Sequence, residues 1–345
     1  MFAQDYRYDD HLRSSKVFSE IQQSHLHQLP DPSDCIEKAG SGGVSKDLLY
    51  RHKKALLAVK RVSESFPGDE EKPSQEATVI SNVILRCPDN SIGIGQCDWG
   101  EDQIPIFITF YAEQGTVKDF LQRNHAVFLT QKRNFAIDIA SGLHTLHASD
   151  IAHGDINLTN TLVFPHPSND GSWMAKVSNF TCSIFGLSSK HETLYSGASL
   201  YNAPEVRDRH SYIPADQVIQ CESFSYGLLV WEIIKDGESY FDPSWIEEGL
   251  DTKSISRQVE YLQNLPVDGL LFHASRFLSL RYRLSNSLDV HLFYHVFELT
   301  LRDIASCRKD LATIALALDY CDRANITFNI KSISNTCITN LDWVL

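Results

Sequence analysis

Asp155 and Asn160 stand five residues apart in a short polar segment within the stretch 151–163. Apolar residues at helical spacing precede the segment over 135–147, and a strand-like run follows it at 161–164. We therefore expect the two polar residues to lie on a loop that faces a cleft. A carboxylate there can take the proton of a hydroxyl group, while an amide oxygen can ligate a metal ion. This combination of residue types suits phosphoryl transfer.

The bulk composition is typical of a soluble globular protein. The chain has 345 residues, of which 43% are hydrophobic and 22% are charged. The net charge of -13 and the lack of an evident basic face argue against nucleic acid or anionic lipid as the main partner. The first residues lack an apolar signal core, and no uninterrupted apolar run is long enough to span a bilayer. We expect a cytoplasmic location, with the nucleus as the alternative.

Cysteine and histidine give no sign of a metal site. The eight Cys residues are scattered and form no Cys-x-x-Cys pair, so reduced thiols in a reducing compartment are favoured over zinc ligands or disulfides. The fourteen His residues show no ligand spacing, and we interpret most of them as surface or structural groups.

A glycine cluster precedes a strand that ends near a lysine. The cluster covers Gly40, Ser41, Gly42 and Gly43, and backbone N–H groups of such a turn can approach phosphates closely. When such a glycine cluster is considered alone, a plain loop without a ligand is the commoner explanation. The apolar run 55–61 predicts a strand that carries Lys60, twenty residues after Gly40, and this spacing suits a hairpin between the cluster and the strand.

In this order, these segments resemble the motifs of protein kinases. The central segment is similar to His-Arg-Asp-Leu-x-x-x-Asn with Gly154 in place of Arg, and the lysine strand to Val-Ala-Ile-Lys. Residues 203–205 keep the Ala-Pro-Glu that ends an activation segment. The likeness covers roughly residues 36–320 and rests on six motifs in the family's order. The version with His-Gly-Asp-Ile-Asn and Asn-Ala-Pro-Glu looks like a group of kinase-like domains of filamentous fungi.

The resemblance implies an α+β, two-lobed protein-kinase-like fold. Its small lobe is an antiparallel sheet plus one helix, and its larger lobe is mainly helical. We divide the chain into an N-terminal extension at 1–35, a small lobe with hinge at 36–114, a large lobe at 115–322 and a C-terminal tail at 323–345. Within the large lobe we expect a short helix from Thr116 to Arg123, capped by Thr116.

By the same resemblance, nucleotide is gripped between the lobes. Lys60 holds the α- and β-phosphates and pairs with Glu76, for which Glu70 and Glu71 are alternatives. Thr109 is the gatekeeper beside the adenine. The nucleotide-binding residues implied are Gly40, Ser41, Gly42, Gly43, Ala58, Lys60, Glu76, Thr109, Phe110, Tyr111, Ala112, Glu113 and Asn179. The catalytic residues implied are Asp155 as the base, Lys60 and Asn160, and the metal ligands are Asn160 and Asn179.

The chain departs from the family at three positions that bear on phosphates, namely Asn179, Asn157 and Gly154. Asn179 and Thr181 replace the Asp and Gly of the Asp-Phe-Gly motif, although Phe180 is kept. Magnesium prefers charged oxygen ligands, and Asn179 offers a neutral one. Asn157 stands where the family often has a Lys or an Arg that contacts the γ-phosphate. Gly154 removes an Arg that would bind a phosphate on the activation segment.

Two functions follow from these residues. The first is an active ATP-dependent protein kinase that phosphorylates Ser, Thr or Tyr despite its atypical metal motif. The second, which the departures favour, is a pseudokinase that binds ATP or ADP, holds magnesium weakly or not at all, and acts as a regulatory or scaffolding module. The sequence identifies neither a protein substrate nor a protein partner.

Three structural expectations accompany this interpretation. Glu205 and Arg308 should form a buried or half-buried ion pair that ties the activation segment to the large lobe. Glu222, at the opening of an apolar helix, stands where the family has an Asp that caps the catalytic loop. Because Gly154 carries no cation, phosphorylation at Thr193, Tyr195 or Ser196 should not control the activation segment.

Overall fold

The computed structural model describes strands at 37–42, 45–52, 55–62, 92–98 and 103–110, and then residues 111–323 with short gaps. The gaps are 125–126, 167, 169–170, 190, 196, 208–211, 247–252 and 284–286. Up to residue 110, and from 320 to 323, the description is limited to the backbone.

The small lobe contains one antiparallel sheet of five strands in the order β1-β2-β3-β5-β4. The strands are β1 (Glu37–Gly42), β2 (Ser45–His52), β3 (Ala55–Val62), β4 (Ile92–Asp98) and β5 (Gln103–Phe110). The predicted hairpin between the glycine cluster and the lysine strand is correct, since β2 pairs with both β1 and β3. The predicted helix around Glu76 lies outside the described residues.

The large lobe is mainly helical. Its helices are α1 (Val117–Arg123), α2 (Leu129–Ala148), α3 (Val218–Ile234), α4 (Ile255–Gln263), α5 (Gly269–Arg281), α6 (Leu288–Thr300) and α7 (Leu311–Arg323). Short antiparallel pairs join β6 (Ile151–Ala152) to β9 (Ile184–Phe185), β7 (Thr161–Pro165) to β8 (Trp173–Val177), and β10 (Glu192–Leu194) to β11 (Tyr212–Pro214).

Helix α3 forms the centre of the large lobe. Every residue from Cys221 to Ile234 is buried, as expected of a helix that is apolar on all sides. The helix begins at Val218, so the predicted start at Glu222 is one turn too late. Its largest buried side chain, Trp231, lies among the rings of Tyr240, Trp245 and other aromatic residues.

Side chains of α2 cover the edge of the β7–β8 hairpin. The Gln131 amide accepts from the Trp173 N–H at 3.2 Å and donates to the Trp173 carbonyl at 2.8 Å. Two residues further along β8, the Ala175 N–H donates to the Asp138 carboxylate at 2.9 Å. The spacing of seven residues puts both side chains on one face of α2, which thereby satisfies the backbone groups of an otherwise open edge.

The hinge-side helix begins as predicted. Thr116 is the N-cap of α1, and its hydroxyl accepts from the Asp119 N–H at 3.1 Å while Asp119 bonds back to the Thr116 backbone at 3.2 Å. This reciprocal capping box satisfies two of the N–H groups that a helix start leaves unpaired.

No helix in the described part of the chain combines the length and apolar character needed to cross a membrane. Among the same residues, no group of His, Cys, Asp and Glu side chains is arranged to hold a metal ion.

Candidate functional site

The central segment connects β6 to β7 through a loop and a single 3-10 turn, 158–160. His153 is fully buried beneath this loop, with its Nε2 at 2.8 Å from the Ser178 carbonyl and its ring 5.5 Å from that of Phe180. The retained Phe180 is itself buried. These contacts fix the loop against the residues that precede the activation segment.

Gly154 has a φ of +81°, in the left-handed region that favours glycine. A Cβ at this position would meet the Cys182 carbonyl oxygen at 2.0 Å. A Cβ on Gly197 would lie 2.6 Å from the Gly154 oxygen. In this conformation no arginine fits at position 154, because the activation segment occupies the space its Cβ needs.

Glu222 caps the loop, as the sequence leads us to expect. Its carboxylate is fully buried and accepts from the Gly154 N–H at 2.6 Å. The second oxygen lies 2.5 Å from Nε2 of His147, near the end of α2. A buried carboxylate requires such partners, since an unpaired one would be strongly destabilising. The loop is therefore attached to two helices of the core.

Asp155 is held by three hydrogen-bond donors. Oδ1 accepts from the Asn157 side chain at 3.2 Å and from the Ala198 N–H at 3.1 Å. Oδ2 accepts from Nδ2 of Asn160 at 2.8 Å. A carboxylate offers about four acceptor positions, so room remains at Oδ2 for a hydroxyl group. The Ala198 bond brings the activation segment directly onto the predicted base.

Asn157 serves the loop itself. Its Oδ1 accepts from the backbone and hydroxyl of Thr159 at 3.0 and 2.5 Å, which makes it the cap of the 3-10 turn. Its Nδ2 donates to Asp155. Asn157 is largely buried, so its amide is directed at the loop in place of the flexible cation that the family often has here.

Asn160 and Asn179 are joined by a direct hydrogen bond. Nδ2 of Asn160 faces two acceptors of Asp155, the carbonyl at 2.7 Å and Oδ2 at 2.8 Å, so the remaining amide oxygen must face Asn179. Nδ2 of Asn179 donates to that oxygen at 3.0 Å. Oδ1 of Asn179 in turn accepts from the Thr181 hydroxyl at 2.7 Å. Both amide oxygens predicted to ligate magnesium thus accept hydrogen bonds from protein groups.

The backbone at Asn179 accounts for the residue type. Its φ is +66°, a conformation that Asn and Asp tolerate better than other non-glycine residues. The residue type at this position is therefore compatible with the backbone conformation, and an Asp would tolerate it equally.

The predicted pair of Glu205 and Arg308 is confirmed. Two bonds of 2.6 and 2.9 Å join the guanidinium to the carboxylate, and the Arg308 side chain is fully buried. Arg308 also donates to the carbonyls of Arg302, Asp303 and Gln220. Burial pushes the pKa of Glu205 up, but the hydrogen bond and charge of Arg308 outweigh it and hold that pKa below its usual value.

The activation segment is packed against the core. Tyr195 is 1% exposed, and burial, together with the charge of Glu222, raises the pKa of its hydroxyl well above the usual value. Thr193 lies on β10, which pairs with β11. Of the three hydroxyls named as phosphorylation candidates, Tyr195 is thus inaccessible in this state, and Ser196 lies outside the described residues.

The small-lobe residues can be placed by register. Thr109 is opposite Ala58, and Lys60 follows two residues later on β3, so Ala58, Lys60 and Thr109 belong to one face of the sheet. Gly40, Ser41 and Gly42 lie on β1, where Gly42 pairs with Ser45. Phe110 ends β5. Gly43 and Glu76 lie outside the described residues.

Where the chain leaves β5, a cavity of about 400 Å³ opens beside the predicted hinge. Tyr111, Glu113 and Gly115 line it together with residues of α1, and Glu113 is exposed. Ala112 is buried, and its carbonyl accepts from the Gly115 N–H at 2.8 Å, which closes the turn into α1.

Residues 36–266 match the sequence model of a family described as protein tyrosine and serine/threonine kinase. The chain belongs to the protein kinase superfamily. The five-stranded small lobe and the helical large lobe are those of a kinase domain, as predicted.

Curated relatives are similar at low identity. NUAK family SNF1-like kinase 1 of Homo sapiens is 25% identical over 250 residues, which cover 72% of this chain and 35% of that protein. Dual specificity testis-specific protein kinase 1 of Rattus norvegicus is 26% identical over 209 residues, covering 59% and 31%. Dual specificity protein kinase shkB of Dictyostelium discoideum is 28% identical over 190 residues, covering 53% and 27%. The kinase domain here spans about a third of the length of these relatives.

Sequence reasoning missed two participants in the site. His147 lies on the helix before the loop, and only the fold brings it to Glu222. Ala198 contributes a backbone N–H, which no side-chain pattern reveals. The position of His147, four residues before the strand that leads into the loop, could have indicated that its side chain lies close to the loop.

Proposed function

We propose that this kinase domain binds ATP or ADP with little help from magnesium, transfers phosphate slowly or not at all, and acts as a regulatory or scaffolding module. The observation that carries the proposal is the hydrogen bond from Asn179 to Asn160. It links directly two side chains that a kinase joins through a metal ion.

The two amides do not fit magnesium as they stand. Magnesium requires oxygen ligands, and Asn179 presents its nitrogen to Asn160. Reversing the Asn179 amide to offer an oxygen would break that bond and set two amide oxygens against each other, although the reversed Nδ2 could still donate to the Thr181 hydroxyl. The reversed amide would still bring no negative charge. The hydrogen bonds therefore compete with the metal for the same oxygens.

Nucleotide binding is supported by the small lobe and hinge. The register puts Ala58, Lys60 and Thr109 on one face of the sheet, as expected of a surface that covers a nucleotide. The cavity beside Tyr111 and Glu113 borders the end of the hinge and α1, next to the residue that the resemblance assigns to the ribose, Glu113. In this proposal Lys60 holds phosphates and Glu76 orients Lys60.

The alternative is an active protein kinase, and one observation favours it. The loop around Asp155 is anchored to α3 through Glu222, and Asp155 remains partly exposed with acceptor capacity at Oδ2. A fixed loop with a free acceptor position is what a catalytic base requires. In that case Asp155 takes the hydroxyl proton of a Ser, Thr or Tyr substrate.

The boundaries and setting of the domain belong to the same proposal. We assign the small lobe and hinge to residues 36–114 and the large lobe to 115–322, with 1–35 as an N-terminal extension and 323–345 as a tail. We propose a cytoplasmic or nuclear location and a protein partner as the recipient of regulation. The relatives include dual specificity kinases, which is compatible with either hydroxyl type in the alternative function.

The test measures thermal shifts with ATP and with ADP, each with and without magnesium. Wild type should show the same shift in both conditions, and Lys60→Ala should reduce it because a charge-assisted contact to phosphate is lost. Asn179→Asp should make the shift depend on magnesium. Without metal, this variant should be less stable by about 1–3 kcal/mol, because a carboxylate oxygen then faces the Asn160 oxygen.

Asn264→Asp is the matched control, since it adds the same charge at the exposed end of α4. It should leave the magnesium dependence unchanged. If wild type phosphorylates a generic substrate at a rate that Asp155→Ala abolishes, the domain is an active kinase. If neither wild type nor Asn179→Asp binds nucleotide, the domain is a protein-interaction module. If activity appears only when Asn157→Lys accompanies Asn179→Asp, the missing cation matters as much as the missing anion.

A further inference from the structure

An apolar groove of about 420 Å³ opens between α1, the start of α2 and the β7–β8 hairpin. Its lining residues are Phe120, Asn124, Val127, Phe128, Gln131, Gly171 and Trp173. None of these seven described residues is charged. Phe128 is the N-cap of α2 and is 82% exposed, although a polar residue is usual at a helix start.

The backbone along one wall of the groove is already satisfied. Both the N–H and the carbonyl of Trp173 are bonded to the Gln131 side chain. An added strand would therefore gain no hydrogen bonds at Trp173. What remains to be covered there is the apolar surface of Phe128 and the Trp173 ring.

The last described helix runs back along α2 toward the end that carries this groove. Asp310, just before α7, lies within electrostatic range of His144, near the end of α2. Because α2 continues for only four residues beyond His144 and α7 packs along it, α7 must run back toward the start of α2. At 1.5 Å per residue, α7 covers about 20 Å of the roughly 24 Å that separate His144 from Phe128.

The sequence after α7 has the pattern that such a groove would accept. Ile326, Phe328 and Ile330 alternate with Thr and Asn, so an extended chain would present them on one side. Residues 324–330 contain no charged side chain, in keeping with the uncharged groove. Crossing the width of α2 takes about 10 Å, which three to four extended residues span.

We propose that the tail folds back and seats Phe328 and Ile330 in this groove, where they cover Phe128 and Trp173. The tail thereby fastens the end of α7 to the start of α2. Because the segment is tethered next to its site, its effective concentration is in the millimolar range, and weak apolar contacts suffice to hold it.

The test compares single and double substitutions in the full chain. Phe128→Ala and Phe328→Ala should each lower the melting temperature by about 3 °C. The double variant should lose no more than either single variant, because both changes remove the same contact. Phe272→Ala is the matched control, since Phe272 on α5 is 60% exposed and no segment is proposed to cover it. It should shift the melting temperature by less than about 1 °C.

Hydrogen exchange provides a second measurement. The amides of 326–330 should be protected in wild type and should lose that protection in Phe128→Ala. The protection in wild type and its loss in Phe128→Ala should both be unchanged over a hundredfold range of protein concentration. Loss of the protection on dilution would mean that a second copy fills the groove, and would overturn the proposal. So would a Phe128→Ala variant that behaves like Phe272→Ala, or losses that add in the double variant.

Discussion

At the base of the activation segment, a carboxylate is paired with a guanidinium, whereas at the corner of the catalytic loop an amide is paired with an amide. Glu205 and Arg308 form two short charged hydrogen bonds. Asn160 and Asn179 form a single neutral one. Neutral hydrogen bonds are roughly half as strong as charge-assisted ones. The same domain thus keeps the family's charges in one region and removes them in the other.

The difference separates the shape of the loop from its chemistry. The loop is held by Glu222, through Gly154 and His147, and these contacts need no ligand. The side chains predicted to meet a metal, Asn160 and Asn179, are instead hydrogen-bonded to each other, and Asn179 also accepts from the Thr181 hydroxyl. The hydrogen bonds that hold the loop are thus separate from the one between the two amides. Three substitutions test how charge pairing, close packing and a buried carboxylate affect the stability of the large lobe.

The largest expected effect comes from Arg308→Ala. Removing one partner of a buried pair leaves Glu205 without its counter-ion, which typically costs about 3–5 kcal/mol. Urea or thermal unfolding gives the measurement. Arg302→Ala is the control, because its pair with Asp268 is about one-third exposed and should contribute about 0–1 kcal/mol. Equal losses in the two variants would show that the pair at the base of the segment is no special anchor.

A smaller loss is expected from Gly154→Ala. The added Cβ combines a positive φ with a contact of 2.0 Å to the Cys182 carbonyl, so we expect a loss of about 2–4 kcal/mol in unfolding free energy. Gly186→Ala shares the positive φ, at +73°, but its nearest contact is an ordinary 3.4 Å. It should cost roughly 1–2 kcal/mol. The difference between the two variants measures the close approach alone, and its absence would contradict the packing we describe.

The smallest effect, and the only gain, is expected from Asp138→Asn. Burial raises the pKa of Asp138 to about 7, although the Ala175 N–H and Lys176 oppose the shift. The folded protein therefore holds an extra proton between about pH 4 and pH 7, so stability falls as the pH rises through this range. An asparagine oxygen can still accept from Ala175 without the buried charge.

We expect Asp138→Asn to match wild type near pH 4 and to exceed it by about 1–2 kcal/mol at pH 8, a value reduced from the full shift because the carboxyl is partly exposed. Unfolding across this pH range is the measurement. Asp216→Asn, at an exposed position, should leave the slope between pH 5 and 8 unchanged. A wild-type slope of zero over the same range would mean that Asp138 is not perturbed.

The order of the motifs was enough to predict the fold. Each motif is short, but a strand with Lys60, a loop with Asp155 and an intact Ala203-Pro204-Glu205 occur in the family's order, and the two lobes follow. The pairing of Glu205 with Arg308, 103 residues apart, was predicted in the same way. These features depend on residue type and spacing, which a sequence displays directly.

Tertiary structure decided what those residues contact. The sequence shows only that Gly154 replaces the arginine of the family motif. The fold shows that no Cβ fits at this position, because the Cys182 carbonyl occupies the space. From the sequence, Asn179 is a weaker ligand, whereas in the fold its amide donates a hydrogen bond to the Asn160 oxygen. Hydrogen-bond direction and close approach arise between segments that are distant in the chain, and only packing brings those segments together.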